Sequence, residues 1–463
     1  MNSSNKFFFR LTFWAFLLVS GCQVPAPEED EELSGGKEGT VFNKSADAFG
    51  QPFIHLTHEE IRQFQIGNSL NRNNWVAAPA STTARDGLGP LFNASACASC
   101  HTRDGRGIPF NSSGQPTQSI LFRLSVRDEA GNVVPEPTYG GQLQHQVISG
   151  AVAEGKVSIT YEELPGTYPD GTRYSLRKPS YSILEPGYGD LHPNTLLSPR
   201  MAPHMAGIGL LDAVDEATIL ANADPDDRDR DGISGRPNYV WDIRKKSKSL
   251  GRFGWKANEP SAEQQVAGAF VNDIGITSSI FPQEAHSETQ QKKLSHFPSG
   301  GEPELEDEQL AQVVFYIKTL AIPARRNWRS KEIQKGKKLF QEAGCTSCHV
   351  PQLTTGKSAS PTYLANQVIR PYTDLLLHDM GEGLSDNRPD GDATGSEWRT
   401  APLWGIGLQN IVNKHTFFLH DGRARNLEEA ILWHGGEAEN AKDKFKKLKK
   451  TDRDHLIQFV ESL

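Results

Sequence analysis

The pentapeptide Cys-X-X-Cys-His occurs twice, as Cys97-Ala98-Ser99-Cys100-His101 and Cys345-Thr346-Ser347-Cys348-His349. Two thiols at this spacing can form thioethers to the vinyl groups of one porphyrin, and the histidine that follows binds the iron from the proximal side. Each string therefore obliges the chain to wrap a large, flat cofactor. Four of the five cysteines are used in this way, which leaves none for a structural disulfide beside Cys22. A redox dithiol needs only one pair and no following histidine, and zinc prefers two close pairs, whereas these lie far apart. The sequence predicts two covalently bound haem c groups. Cys97, Cys100, Cys345 and Cys348 are the attachment residues, and His101 and His349 are the axial iron ligands.

The start of the chain reads as an export signal. Lys6 and Arg10 precede an apolar run from Leu11 to Val19 that is too short to cross a bilayer. Val19-Ser20-Gly21-Cys22 resembles a bacterial lipobox, which implies cleavage after residue 21 and lipidation of Cys22. Gln23 favours outer-membrane sorting, with the protein facing the periplasm. The following Pro25-Ala26-Pro27-Glu28-Glu29-Asp30-Glu31-Glu32 is acidic and core-free, so residues 22–50 are expected to form a solvated tether. The net charge of −8 is unremarkable over 463 residues, and no long basic run argues for nucleic acid.

Internal similarity divides the remainder. Leu91-Phe92 precedes Cys97 as Leu339-Phe340 precedes Cys345, which predicts a helix ending at each pair. Leu310, Val313, Val314, Ile317 and Leu320 fall on one helical face, and Leu456, Ile457, Val460 and Leu463 do the same, with Phe459 matching Tyr316. Arg200-Met201-Ala202-Pro203 leads to Gly207-Ile208-Gly209-Leu210, and Arg399-Thr400-Ala401-Pro402 leads to Gly405-Ile406-Gly407-Leu408. Arginines at these positions suit haem propionates. The expected fold is mainly α, with two cytochrome c-like domains over residues 51–322 and 331–463. The first is enlarged by loops and short β insertions, around Ser119 to Val126 and Val157 to Tyr161. Asp227, Asp229 and Asp231, alternating ahead of Gly232, have the pattern of a calcium loop, although the twelfth position is Asn238 rather than a bidentate glutamate.

Three strings carry a family resemblance: Trp398-Arg399-Thr400-Ala401-Pro402-Leu403, Phe418-Leu419-His420-Asp421-Gly422 and Leu427-Glu428-Glu429-Ala430. They resemble the C-terminal part of bacterial di-haem cytochrome c peroxidases and of the di-haem enzymes that mature methylamine dehydrogenase. The whole mature chain more closely resembles the bacterial di-haem oxidoreductase family. That likeness rests on Asp86-Gly87-Leu88-Gly89-Pro90-Leu91-Phe92-Asn93, Gly251-Arg252-Phe253-Gly254-Trp255-Lys256-Ala257, His378-Asp379-Met380-Gly381 and Glu397-Trp398-Arg399-Thr400. The peroxidase relatives take the sixth ligand of their second haem fourteen positions after the histidine of the His-Asp-Gly string. Here that position is His434, so the resemblance implies His349 and His434 as the two axial ligands of the second haem. Met380, His378 and His420 are the competing candidates. The corresponding position in the first half falls near Ala221 or Asn222, neither of which binds haem iron well.

The resemblance thus implies a reactive first haem and an electron-transferring second one. His204 stands in the repeated turn as a ligand, a catalytic acid–base group or a packing residue, and Met205 is a further ligand candidate. The relatives also use a glutamine and a glutamate in the first half, which no residue of this chain matches by alignment. The expected function is a peroxidase-like di-haem oxidoreductase. It would be supplied by a small redox protein (a cytochrome or copper protein) or a quinol-linked chain, and would act on peroxide or another small oxidant or substrate. The alternative is a non-catalytic di-haem electron carrier.

Overall fold

The computed structural model describes residues 29–463. The proposed signal peptide and Cys22 lie outside the described residues. The mainly α cytochrome c-like expectation is corrected by the structure: it is 31% helix and 20% strand, with many small sheets. No helix among the described residues is long and apolar enough to cross a membrane.

The helices foreseen by periodicity form. Asp307–Lys318 buries Leu310, Val313, Tyr316 and Ile317 and packs on His58–Arg72. Lys450–Ser462 buries Leu456, Phe459 and Val460 and packs on Lys331–Ala343. Equivalent ring contacts mark both crossings: Phe64 to Tyr316 at 4.7 Å and Phe340 to Phe459 at 5.2 Å. The Gly-Ile-Gly-Leu turns close each pair. A Cβ on Gly209 would lie 2.0 Å from the Lys318 carbonyl, and one on Gly407 would lie 1.8 Å from that of Glu461, so only glycine admits the helix end.

One predicted helix end is wrong. Leu339-Phe340 does lie near the end of Lys331–Ala343, but Leu91–Phe92 is a strand paired with Gln146–Val147. The earlier helix already stops at Arg72, and the intervening segment carries Pro79, Gly87, Gly89 and Pro90, which break helical hydrogen bonding.

The strand content lies mostly in the first half. Ile120–Arg127 pairs antiparallel with Leu196–Met201 and with two short strands, Val133–Val134 and Gln142–Leu143. Lys156–Thr167 and Arg173–Leu184 form a long hairpin. Val157, Ile159, Tyr181 and Ile183 pack on an apolar cluster of the first half, and Leu164, Tyr174 and Leu176 on one of the second. Tyr168 donates to Glu428 at 2.8 Å, Arg177 to the Arg423 carbonyl at 2.7 Å, and Arg453 to Asp170 at 2.9 Å.

The expected tether is also corrected. Glu31 is buried and ion-paired with Arg325 and Lys337, Thr40–Val41 pairs with Ile322–Pro323, and Ala48 and Phe49 lie in the main core. That core runs from Phe49 through Leu310 to Trp404, so it draws on both halves of the chain.

Candidate haem sites

The two pentapeptides open into two separate cavities. Cys97–Cys100 is a single helical turn, and the His101 amide donates back to the Cys97 carbonyl at 2.9 Å. His101 Nδ1 donates to the Pro203 carbonyl at 2.7 Å, which leaves the ring's lone pair on Nε2. The repeated Arg-X-Ala-Pro string thus orients the first proximal imidazole as it leaves strand Leu196–Met201. His349 Nδ1 donates to the Tyr372 carbonyl at 2.9 Å with the same result. Burial lowers the affinity of both imidazoles for a second proton, so each stays neutral, the form that binds a metal. Burial also pushes the Cys97 and Cys345 thiols up to about 12 and raises those of Cys100 and Cys348. Thiols so held are not reactive dithiols, and the pairs line different cavities rather than one zinc site.

The second cavity, about 400 Å³, brings Cys345, Cys348, His349 and His434 together. Helix Leu427–Leu432 ends just before His434, and His434 Nδ1 donates to the Ala430 carbonyl at 2.7 Å, again leaving Nε2 free. Of the competing residues, His378 has both ring nitrogens engaged, with Asp374 and with Glu437, each at 2.7 Å. Those carboxylates raise its proton affinity well above that of an ordinary histidine even though burial opposes the charge. His420 lies flat against Trp398, with ring centroids 3.8 Å apart. Met380 lines the cavity as well.

The first cavity, about 260 Å³, is walled by Cys97, Cys100 and His101 and by a polar group that the sequence did not disclose. Burial pushes Glu259 up to about 7, although Gln264 Nε2 donates to it at 3.0 Å. Asp273 is pushed up to about 6 by burial and accepts from Gln142 Nε2 at 2.6 Å. The quoted Gly251–Ala257 string stops just short of Glu259, so a signal stood beside it, but only the fold turns that carboxyl to the cavity.

His204 lines both cavities, stacks on Phe49 at 5.3 Å and keeps a buried, unpartnered Nδ1. Burial and the nearby Arg106 push it down to about 4, so it is neutral. Its neighbours hold the proximal loop: the Pro203 carbonyl accepts from His101 Nδ1, and the Met205 amide donates to the Asp104 carbonyl at 2.9 Å. The backbone of this segment therefore lies against the proximal loop.

Arg106, Trp255 and Arg399 also line both cavities. Arg399 donates to the Gly254 carbonyl at 2.9 Å and Arg106 to that of Leu419, and Arg106 lies 5.2 Å from the Trp255 ring centre. Burial pushes Arg106 down to about 9 and Arg399 down to about 10. Among the described residues neither forms an ion pair with a carboxylate, whereas Arg200 is paired with Asp390 at 2.9 Å. Uncompensated buried guanidinium groups call for an anionic occupant. Haem propionates have that charge, and the thiol pairs and free imidazole nitrogens complete a donor set that fits haem in each cavity.

The three aspartates of the proposed calcium loop do converge, with carboxylate oxygens of Asp227, Asp229 and Asp231 within 4.8 Å of one another. Asn238 is not with them. Its amide donates to the Lys256 and Asp390 carbonyls.

The family model described as di-haem oxidoreductase, putative peroxidase, matches residues 29–463. The chain belongs to this family. Haem is therefore its expected cofactor, and the family description names oxidoreduction as its chemistry. No curated protein matches the chain.

Proposed function

We propose that this di-haem oxidoreductase carries two covalent haem c groups and divides labour between them. Cys97, Cys100 and His101 hold the first, and Cys345, Cys348, His349 and His434 hold the second. The observation that carries this reading is the shared wall: Arg106, Trp255 and Arg399 border both cavities, so their occupants are close neighbours. When bound, haem iron supplies one-electron redox chemistry and, where a coordination position is open, a place for peroxide or a similar oxidant.

The chain's own residues set the difference between the sites. His434, with Nδ1 tied to Ala430, would hold the second haem together with His349 and leave that site without room for a small oxidant. Besides His101, the imidazole and thioether side chains lining the first cavity among the described residues are those of Met201, His204 and Met205, on the segment whose Pro203 carbonyl holds His101, and this reading would leave that site open to a small oxidant. Glu259, poised near neutrality, can take a proton from a bound oxidant and return it to the leaving oxygen. Asp273 and Gln142 hold a second proton-bearing pair nearby. Arg106 and Arg399, buried on the shared wall, would balance the charge of haem propionates. The aromatic face of Trp255 lies between the sites and favours electron passage. His204 supports the proximal loop.

The same reading places the protein in the cell envelope, held through lipidated Cys22 on the outer membrane and facing the periplasm, with a small redox protein or a quinol-linked chain as donor. Calcium at Asp227, Asp229 and Asp231 would brace the loop that follows helix Glu216–Leu220.

Electron paramagnetic resonance of the oxidised holoprotein, alone and with peroxide, tests the division of labour. One low-spin bis-histidine signal beside one signal that peroxide or cyanide perturbs is expected. Two low-spin signals that ignore both ligands would favour the plain electron carrier.

A further inference from the structure

Residues 442–450 contain six lysines, Lys442, Lys444, Lys446, Lys447, Lys449 and Lys450, against the single acid Asp443, in a chain whose net charge is −8. The run covers the end of helix Glu439–Lys447 and the start of Lys450–Ser462. Phe445, 1% exposed, anchors it from below. Lys444, Lys447, Lys449 and Lys450 are exposed, and Lys442 and Lys446 are half-buried. Lys442 pairs with Glu439 and Lys450 with Asp454, but among the described residues Lys444, Lys446, Lys447 and Lys449 take part in no ion pair. A helix C-terminus favours a cation or two. Lysines three and four positions apart repel one another, so this density opposes the folded helix unless something outside the chain uses it.

Its place in the fold says what that is. Lys442 and Lys444 form part of the wall of the second cavity, on the same rim as Cys345 and His434. The patch therefore adjoins the second haem site on one side. We propose that this lysine face docks a small electron-transfer protein with an acidic surface, so that one electron passes between its redox centre and the second haem with no atom transferred. This rests on the reading of the second site given above. Charge complementarity of this kind raises encounter rates by about 10- to 1,000-fold at low salt and orients the partner before contact. An anionic membrane would also attract lysines, but it gains nothing from a patch placed beside a redox cavity.

The test uses the full-length holoprotein and cytochrome c in two forms, unmodified and basic, or acidic after succinylation of its lysines. Binding is read by calorimetry and by carbodiimide cross-linking of carboxylates to lysine amines, neither of which depends on turnover. The acidic form is expected to bind, to cross-link at residues 444–449, and to lose at least about tenfold in affinity between low and physiological salt. The basic form is expected not to bind. Lys446→Glu, Lys447→Glu and Lys449→Glu together should weaken acidic binding by about tenfold or more with an unchanged haem absorption spectrum. The matching Gln set should lose less. Equal binding of both cytochromes, or unaltered binding by the Glu set, overturns the proposal. So does capture of phosphatidylglycerol vesicles without capture of the acidic cytochrome. Absence of haem from the protein would sink the reading of the site, and the binding experiment would still report on the lysines by themselves.

Discussion

Glu259 gives the most discriminating single substitution. Burial in the first cavity moves its carboxyl from the ordinary 4.5 to about 7. Between those values the folded protein holds a proton that the unfolded chain has released. The contribution of this group is therefore most favourable at low pH and is lost as pH rises through 7. At about 1.4 kcal/mol per tenfold change in proton affinity, the swing is on the order of 3 kcal/mol. Glu259→Gln keeps the shape and an oxygen to accept from Gln264, but it cannot titrate. Denaturant unfolding at pH 5 and pH 8 should show wild type losing about 3 kcal/mol more than the variant between the two conditions. Under the proposed chemistry the variant should also turn over peroxide about 100- to 10,000-fold more slowly. Parallel pH profiles for the two proteins would refute the burial argument. Unchanged peroxide turnover would remove Glu259 from the chemistry.

Three further outcomes follow from the geometry. His434→Ala should convert the low-spin signal of the second haem while leaving the other signal untouched, and identical spectra would reject His434 as a ligand. Lys256, fully buried, pairs with Asp386 at 3.2 Å and donates to the Thr394 and Gly395 carbonyls. Lys256→Met should destabilise by about 3–5 kcal/mol, and adding Asp386→Asn should recover part of that, as read by chemical denaturation. Removing calcium with a chelator should lower the melting temperature, and Asp229→Asn should abolish that response. A melting curve indifferent to calcium would leave the three aspartates as a solvated loop.

Much of the site was legible because its chemistry is local in sequence. The pentapeptides name their own cofactor, and the repeated Arg-X-Ala-Pro strings do sit at both cavities, each leaving a strand beside its haem motif. Apolar periodicity marked helices Asp307–Lys318 and Lys450–Ser462 because one face of each packs on a partner helix. The strand content was under-read for the opposite reason. Val157, Ile159 and Tyr161 alternate with Ser158, Thr160 and Glu162 and mark one stretch of the long hairpin, but Leu164 falls out of that register, Pro165, Gly166 and Pro179 interrupt the pattern, and the contacts with Glu428 and Arg423 lie far away in sequence. Leu91–Phe92 looked helical by analogy with Leu339–Phe340, and only the proline- and glycine-rich segment ahead of it argued otherwise. Glu31 looked like part of a solvated acidic run, since its partners Arg325 and Lys337 lie about three hundred residues away. The overall charge of −8 likewise hid the lysine face at 442–450.

The mass of the mature polypeptide under denaturing conditions tests the whole account most directly. Two haems should remain attached after the protein is unfolded, one lost in a Cys97→Ser, Cys100→Ser variant and the other in Cys345→Ser, Cys348→Ser. A bare polypeptide mass, with four thiols open to alkylation, would contradict it.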